Sequence, residues 1–342
     1  MAGLWCFFDG ENTMEKEKYL ELIKGKECLL DCVYKNDKNN SNDWLDNYAL
    51  CDNYLKKFLY YRFNFNDGID IDSCKYVMPV YVTLCNNIFT DFQFEKEKRI
   101  GKQKQYEIKV SKDEEIFYLR GDTAINAMSA IQQLFTYISK EAIRKPSKRN
   151  YDNEDFRVRY KKCLDIAQKD YKEIFVLLNE HVRLCYSIGN FYPLVHRYRR
   201  GALNNCKDLY KLKGYGVYFD DVMSEWLKEM RYSICGHKKC IIKANRNKLD
   251  SVYAFWLEEY RNIGENEGKN GWRIYVEENA FEPFMGINNE PITFWEANKE
   301  AFLDQFSMYL ERINVALKER EKCIEEKIVV ANLSRCANLF AE

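Results

Sequence analysis

The chain has 342 residues, of which 46% are hydrophobic and 15% aromatic, including 25 Tyr and 21 Phe. That apolar content excludes a disordered polymer and is enough for one large domain or two ordinary ones. Lys+Arg and Asp+Glu balance at 53 each, so total charge commits the chain to neither an anionic nor a cationic partner.

Only 5 Pro and 15 Gly punctuate the chain, which predicts long regular elements rather than a loop-rich β protein. No stretch approaches the roughly 18 apolar residues of a membrane span, and the first residues lack a basic leader region. A cytoplasmic protein with no membrane contact is therefore expected. Thirteen Cys, an odd number, read as reduced thiols buried as small hydrophobes.

In chain order, helical patterns cover about 15–34 and 44–62. Residues 76–84 are β-branched and aromatic and predict a strand, with Pro79 at an edge or bulge. Residues 106–110 alternate, and 116–119 can pair with them across 111–114. Beyond Gly121, either Asp122 or Thr123 can cap a helix that buries Ile125, Met128, Ile131, Phe135 and Ile138. A single long helix is predicted over about 155–186, with Tyr160, Cys163, Ala167, Ile174, Leu178, His181 and Cys185 on its apolar face. Shorter helices follow over about 218–231 and 248–262, then a strand at 272–276. Thr293 and Glu296 have the form of a capping box opening a helix over about 294–328. Its stripe is Leu303, Phe306, Leu310, Ile313, Leu317 and Ile324, interrupted by Arg320.

These elements predict an α+β fold, predominantly α-helical, with a small β-sheet from the N-terminal third. The chain reads as a single large domain over 1–342, with a possible N-terminal α/β subdomain 1–118 and a helical region 119–342. Linkers are expected at 36–43, 145–153 and 264–271, and no internal repeat is present.

Charge is sorted along the chain. Residues 1–140 carry 19 Lys+Arg against 22 Asp+Glu; residues 141–248 carry 24 against 13; residues 249–342 carry 10 against 18. A basic middle beside an acidic end suits either a polyanion-binding face or two halves that pair internally.

Two turns stand out as candidate sites. Arg120-Gly121-Asp122-Thr123 sits where a strand should give way to a helix, so free N–H groups and the guanidinium could hold an anion. The alternative is that Gly makes the turn, Asp caps and Arg pairs with Asp. Ser187-Ile188-Gly189-Asn190-Phe191 is followed by a basic, aromatic run that includes Arg197, Tyr198, Arg199 and Arg200. Such a run suits phosphate contacts with stacking, or a solvated loop paired to the acidic end.

Other constellations are thinner. Cys235, His237 and Cys240 offer three soft ligands with lysines between them and no second cluster, so no metal is expected. Asp67, Asp70 and Asp72 read as a polar turn entering a strand rather than a cation loop. His181 on an apolar stripe reads as a core histidine with one internal hydrogen bond. There is no phosphate-binding glycine loop and no nucleophile elbow, and no cofactor is expected.

Ile188-Gly189-Asn190-Phe191, with Asn204-Asn205 and Lys211 to Tyr215 downstream, resembles the back half of a motif in one group of HNH nucleases. The upstream Asp-His pair of that motif is missing, and His181 lies in a predicted helix, which speaks against a working HNH site. The pair of elements Arg120-Gly121-Asp122-Thr123 and Ile188-Gly189-Asn190-Phe191 is similar to an uncharacterised bacterial family that carries R-G-D-T and I-G-N-F in this order. That resemblance implies a bacterial or phage origin and a mainly helical fold, and supplies no reaction.

Three functions are compatible with these features. The first is a nucleic-acid-associated protein, part of a defence or mobile-element module, with Arg144, Lys145, Lys148, Arg149, Arg197, Arg199 and Arg200 on phosphates. The second is a helical interaction protein that docks a partner or a second copy through the 294–328 helix. The third is an enzyme acting on an anionic small molecule, with Arg120, Asp122 and Asn190 in one pocket.

Overall fold

The computed structural model describes residues 28–34, 53–64, 77–85, 93–98, 106–112, 115–143, 154–196, 219–235, 257–265, 270–295 and 301–330. The elements are α1 (Leu29–Tyr34), α2 (Tyr54–Asn64), α3 (Met78–Cys85), β1 (Gln93–Lys98), β2 (Tyr106–Lys112) and β3 (Glu115–Thr123). They continue with α4 (Ala127–Ser139), α5 (Glu154–Asp170), α6 (Lys172–Cys185), a 3₁₀ turn (Ile188–Asn190) and β4 (Phe191–His196). The remainder is α7 (Phe219–Ile234), α8 (257–265), α9 (Gly271–Glu278) and α10 (Phe302–Val330), with 3₁₀ turns at Glu282–Phe284 and Ile287–Asn289. The architecture is a predominantly helical α+β fold with a small sheet.

Alternation at 106–110 and 116–119 produces the expected hairpin. Val110 pairs with Phe117 and Lys112 with Glu115, so two residues, 113–114, link the strands. The sheet is antiparallel throughout, in the order β1-β2-β3-β4. Its fourth strand comes from residues 191–196, where the sequence pattern predicts no strand. β3 runs through residue 118, so the possible boundary there falls inside a hydrogen-bonded ladder.

Five local expectations are corrected. Residues 78–85 form a helix, not a strand, because Val77, Val80, Tyr81, Leu84 and Cys85 are buried at three- and four-residue steps. Pro79 sits in the first turn, where no intrahelical N–H bond is lost. Residues 272–276 are likewise helical: Asn270 caps Trp272 N–H at 2.9 Å, and Trp272, Tyr275 and Val276 face the core.

The helix after β3 is capped by Asn126, whose Oδ1 accepts from Met128 N–H, because β3 extends through Thr123. The 155–186 helix is two helices, α5 and α6, bent at Tyr171 (φ −127°, ψ 48°). Tyr171 N–H still donates to Ala167 and its carbonyl still accepts from Phe175, so the break is a bend and not a loop.

The C-terminal helix starts at Phe302, not at Phe294. Phe294 and Trp295 are instead buried ahead of it, Trp295 packing edge-on against Phe302, Phe306 and Tyr309. Burial of two large rings outweighs a capping box. The stripe itself holds: Phe306, Leu310, Ile313, Leu317 and Ile324 are buried. Among the described residues Cys28, Cys85, Cys163, Cys185, Cys235 and Cys323 are free thiols, the first four buried. No described helix is long and apolar enough to cross a membrane.

Candidate functional site at the junction of two turns

β3 and β4 bring the two singled-out motifs side by side. Residues 120–123, expected at a strand-to-helix turn, are instead the end of β3, and 187–191 holds the 3₁₀ turn that leads into β4. In the ladder Arg120 pairs with Leu194, Gly121 with Pro193, Asp122 with Tyr192 and Thr123 with Phe191. The ladder ends on Asn190, one residue before β4. Its carbonyl accepts from Ala124 N–H at 2.7 Å and its Oδ1 accepts from Ile125 N–H at 2.7 Å. Its Nδ2 donates to the carbonyls of Ile125 and Cys185, both at 2.8 Å. Asn190 is fully buried. Both amide protons are therefore spent on backbone, and the carboxamide works as a clasp between the α4 approach, the end of α6 and the 3₁₀ turn.

Close backbone approach explains two glycines here. A Cβ on Gly189 would lie 2.4 Å from the Leu317 carbonyl of α10. A Cβ on Gly121 would collide with the Tyr81 ring of α3 at 1.8 Å.

α10 contributes the unexpected member. Arg320, the interruption in its apolar stripe, is completely buried. One terminal nitrogen donates to Gly189 O at 2.5 Å and the other to Asn279 O at 2.9 Å. The guanidinium carbon stands 4.7 Å from the centre of the Phe281 ring. Burial pushes its pKa down to about 10, opposed by Tyr275 and Glu282, so the side chain is still a cation at neutral pH. Nε has no hydrogen-bond partner. The residue ties α10, the 3₁₀ turn and the end of α9 together through carbonyls alone.

Next to it, Glu180 accepts a bidentate pair from Arg183, both bonds at 2.9 Å, and an ion pair from Lys318 at 2.9 Å. The Arg183 hydrogen bonds hold the Glu180 carboxyl down at about 2. Burial pushes the Glu321 carboxyl up, against the pull of Arg183 and Ser187. Ser187 Oγ accepts from Gly189 N–H at 3.3 Å, closing the turn.

His181 is buried on α6, with Nδ1 3.0 Å from Asn314 Oδ1 and Nε2 3.5 Å from Cys185 Sγ. Asn314 Nδ2 donates to Leu177 O, which turns Oδ1 toward the ring. Nδ1 then carries the proton and Nε2 accepts from the thiol. Burial pushes the imidazole down to about 4 and the Cys185 thiol up. A thiol, an imidazole and an amide in line have the connectivity of a nucleophilic relay, yet both shifts favour the neutral pair. With the thiol closed off from solvent, the relay acts as a polar link between α6 and α10.

The backbones of Arg120 and Asp122 are in β3, opposite Leu194 and Tyr192, four and two residues along β4 from Asn190. Arg197, Arg199, Arg200, Arg144, Lys145, Lys148 and Arg149 lie outside the described residues, as do Asp67, Asp70, Asp72, His237 and Cys240. Among the described residues no group of three His, Cys, Asp or Glu side chains converges on a metal position. Arg320 and the Cys185–His181–Asn314 line were missed as partners. The i, i+4 spacing of His181 and Cys185 and the charge inside an apolar stripe were their sequence signals.

Fold and site together define a helical α+β protein whose two motif-bearing segments are locked into one internal junction. Comparison with protein-family models, with curated proteins and with solved structures finds no match to this chain.

Proposed function

We propose that this is a bacterial cytosolic nucleic-acid-associated protein acting in a defence or mobile-element module, as a member of the family with R-G-D-T and I-G-N-F elements. The observation that carries this reading is where the positive charge of the middle region lies. In residues 154–196 and 219–235, Lys+Arg number 9 against 10 Asp+Glu. The excess belongs to the stretches between the described elements. Residues 144–153 carry 4 Lys+Arg against 1 Asp+Glu, residues 197–218 carry 6 against 1, and residues 236–248 carry 5 against none. Tyr198, Tyr210, Tyr215 and Tyr218 are interleaved with the second of these. Cations with aromatics between them suit phosphate contacts combined with base stacking.

Internal pairing with the acidic end is the competing account. Arg183 pairs with Glu180 and Lys161 with Asp165 on their own helices, and Arg159 pairs with nearby Glu141. Arg231–Glu290 joins a cation of the basic middle to the acidic third.

The test is binding of a labelled single-stranded oligonucleotide across a salt series, comparing the native chain with Arg197, Arg199 and Arg200 all changed to Ala. Native binding should weaken steeply with salt, and the triple variant should lose roughly 2 from the log–log slope, as expected for three phosphate contacts. Absence of retention at low salt, or an unchanged slope in the variant, overturns the reading.

A further inference from the structure

The exposed side of α10 and the segment before it enclose an open groove of about 320 Å³. Ile292, Phe294, Val315 and Ala316 supply its apolar lining, and Val315 is 54% exposed. Glu311 and Glu319 stand on the α10 side, both exposed, and among the described residues neither has an ion-pair partner. Arg312 also borders the groove, with its guanidinium laid over the Phe294 ring at 5.8 Å. Two free carboxylates against one committed cation leave the rim negative around an apolar centre.

The spacing defines what fits. Glu311 and Glu319 are eight residues apart on a helix, about 12 Å, with Val315 midway. An extended chain advances about 13 Å over four residues and presents positions i, i+2 and i+4 on one face. The geometry points to this groove as a docking site for an extended basic segment of a partner protein, of the form cation–x–aliphatic–x–cation. The aliphatic side chain enters between Ile292 and Val315, and the two cations meet Glu311 and Glu319. Apolar contact supplies the affinity, and the flanking charges set register and exclude acidic segments.

The experiment titrates methyl-labelled full-length chain with a short Lys-Ser-Leu-Ser-Lys peptide and, separately, with the same peptide carrying Glu in place of Lys. The Ile292 and Val315 methyl resonances should move with the lysine peptide, at a concentration at least tenfold below any response to the glutamate peptide. The double variant Glu311→Lys, Glu319→Lys should reverse that preference; both positions are on the exposed side of α10. The peptide swap reads the same charge dependence on the native chain without any variant. Still methyls at millimolar lysine peptide, equal response to both peptides, or shifts confined to other methyls overturn the proposal.

Discussion

Asn190 shows how one side chain can look functional in a motif and be consumed by architecture. Its amide satisfies both polar groups of Ile125 and the carbonyl of Cys185 at once. Asn190→Ala strands three buried backbone groups, so we expect a loss of about 3 kcal/mol or more, read from urea unfolding midpoints. His181 gives the pH counterpart. Its imidazole has an ordinary value of 6.5 and about 4 in the fold, so the unfolded chain binds more protons between those limits. Stability is therefore full above pH 6.5 and is lost as pH falls toward 4, by ~3 kcal/mol in total. Glu180, held at about 2, loses its contribution in a lower window, from 4.5 downward. His181→Gln should flatten the upper window and leave the lower one, which unfolding midpoints taken across the acid range would show.

At the scale of elements, α10 is the organising helix: it meets α6 through Asn314 and the 3₁₀ turn through Arg320. A buried arginine held by carbonyls presents two opposing costs. Removing it orphans Gly189 O and Asn279 O, while keeping a cation there costs desolvation. Arg320→Met relieves the second cost and incurs the first. Arg320→Lys keeps the charge and reaches fewer carbonyls with a more strongly hydrated head. The lysine variant should therefore be the less stable of the two, and a thermal melt ranking them the other way would show that carbonyl satisfaction dominates. α3 and α9 teach a related lesson. Their short apolar runs fit either period, and Pro79 and Asn270 were the local signals that select helix over strand.

Over the whole molecule, charge and shape are distributed differently. The described part of the basic middle is close to neutral, and the lysine and arginine excess belongs to stretches outside the described residues. The C-terminal third presents an acid-rimmed groove, and nearby Ile287 is 87% exposed on a turn closed by the Met285–Pro291 bridge. The cation-rich stretches proposed to contact phosphate and the carboxylates proposed to meet a basic segment lie at separate places in the sequence. Their independence is itself testable. The triple Ala variant at 197, 199 and 200 should leave lysine-peptide titration of the groove unchanged within a factor of about two, as expected where two sites do not couple.

The helix stripes, the 106–119 hairpin and the helical α+β class were legible in the sequence because each rests on a local period that burial reinforces. Tertiary structure alone decided that β4 completes the sheet, and that 120–123 is strand and a neighbour of 187–191. Strand pairing across about seventy residues depends on which edge is left open, and no local pattern encodes that. His181 is the core histidine with an internal hydrogen bond that its apolar stripe predicts. What Asn190 and Arg320 do was decided by tertiary structure, since a polar residue among apolar neighbours reads the same whether its partner is a ligand or a carbonyl. Only the fold supplies the carbonyl.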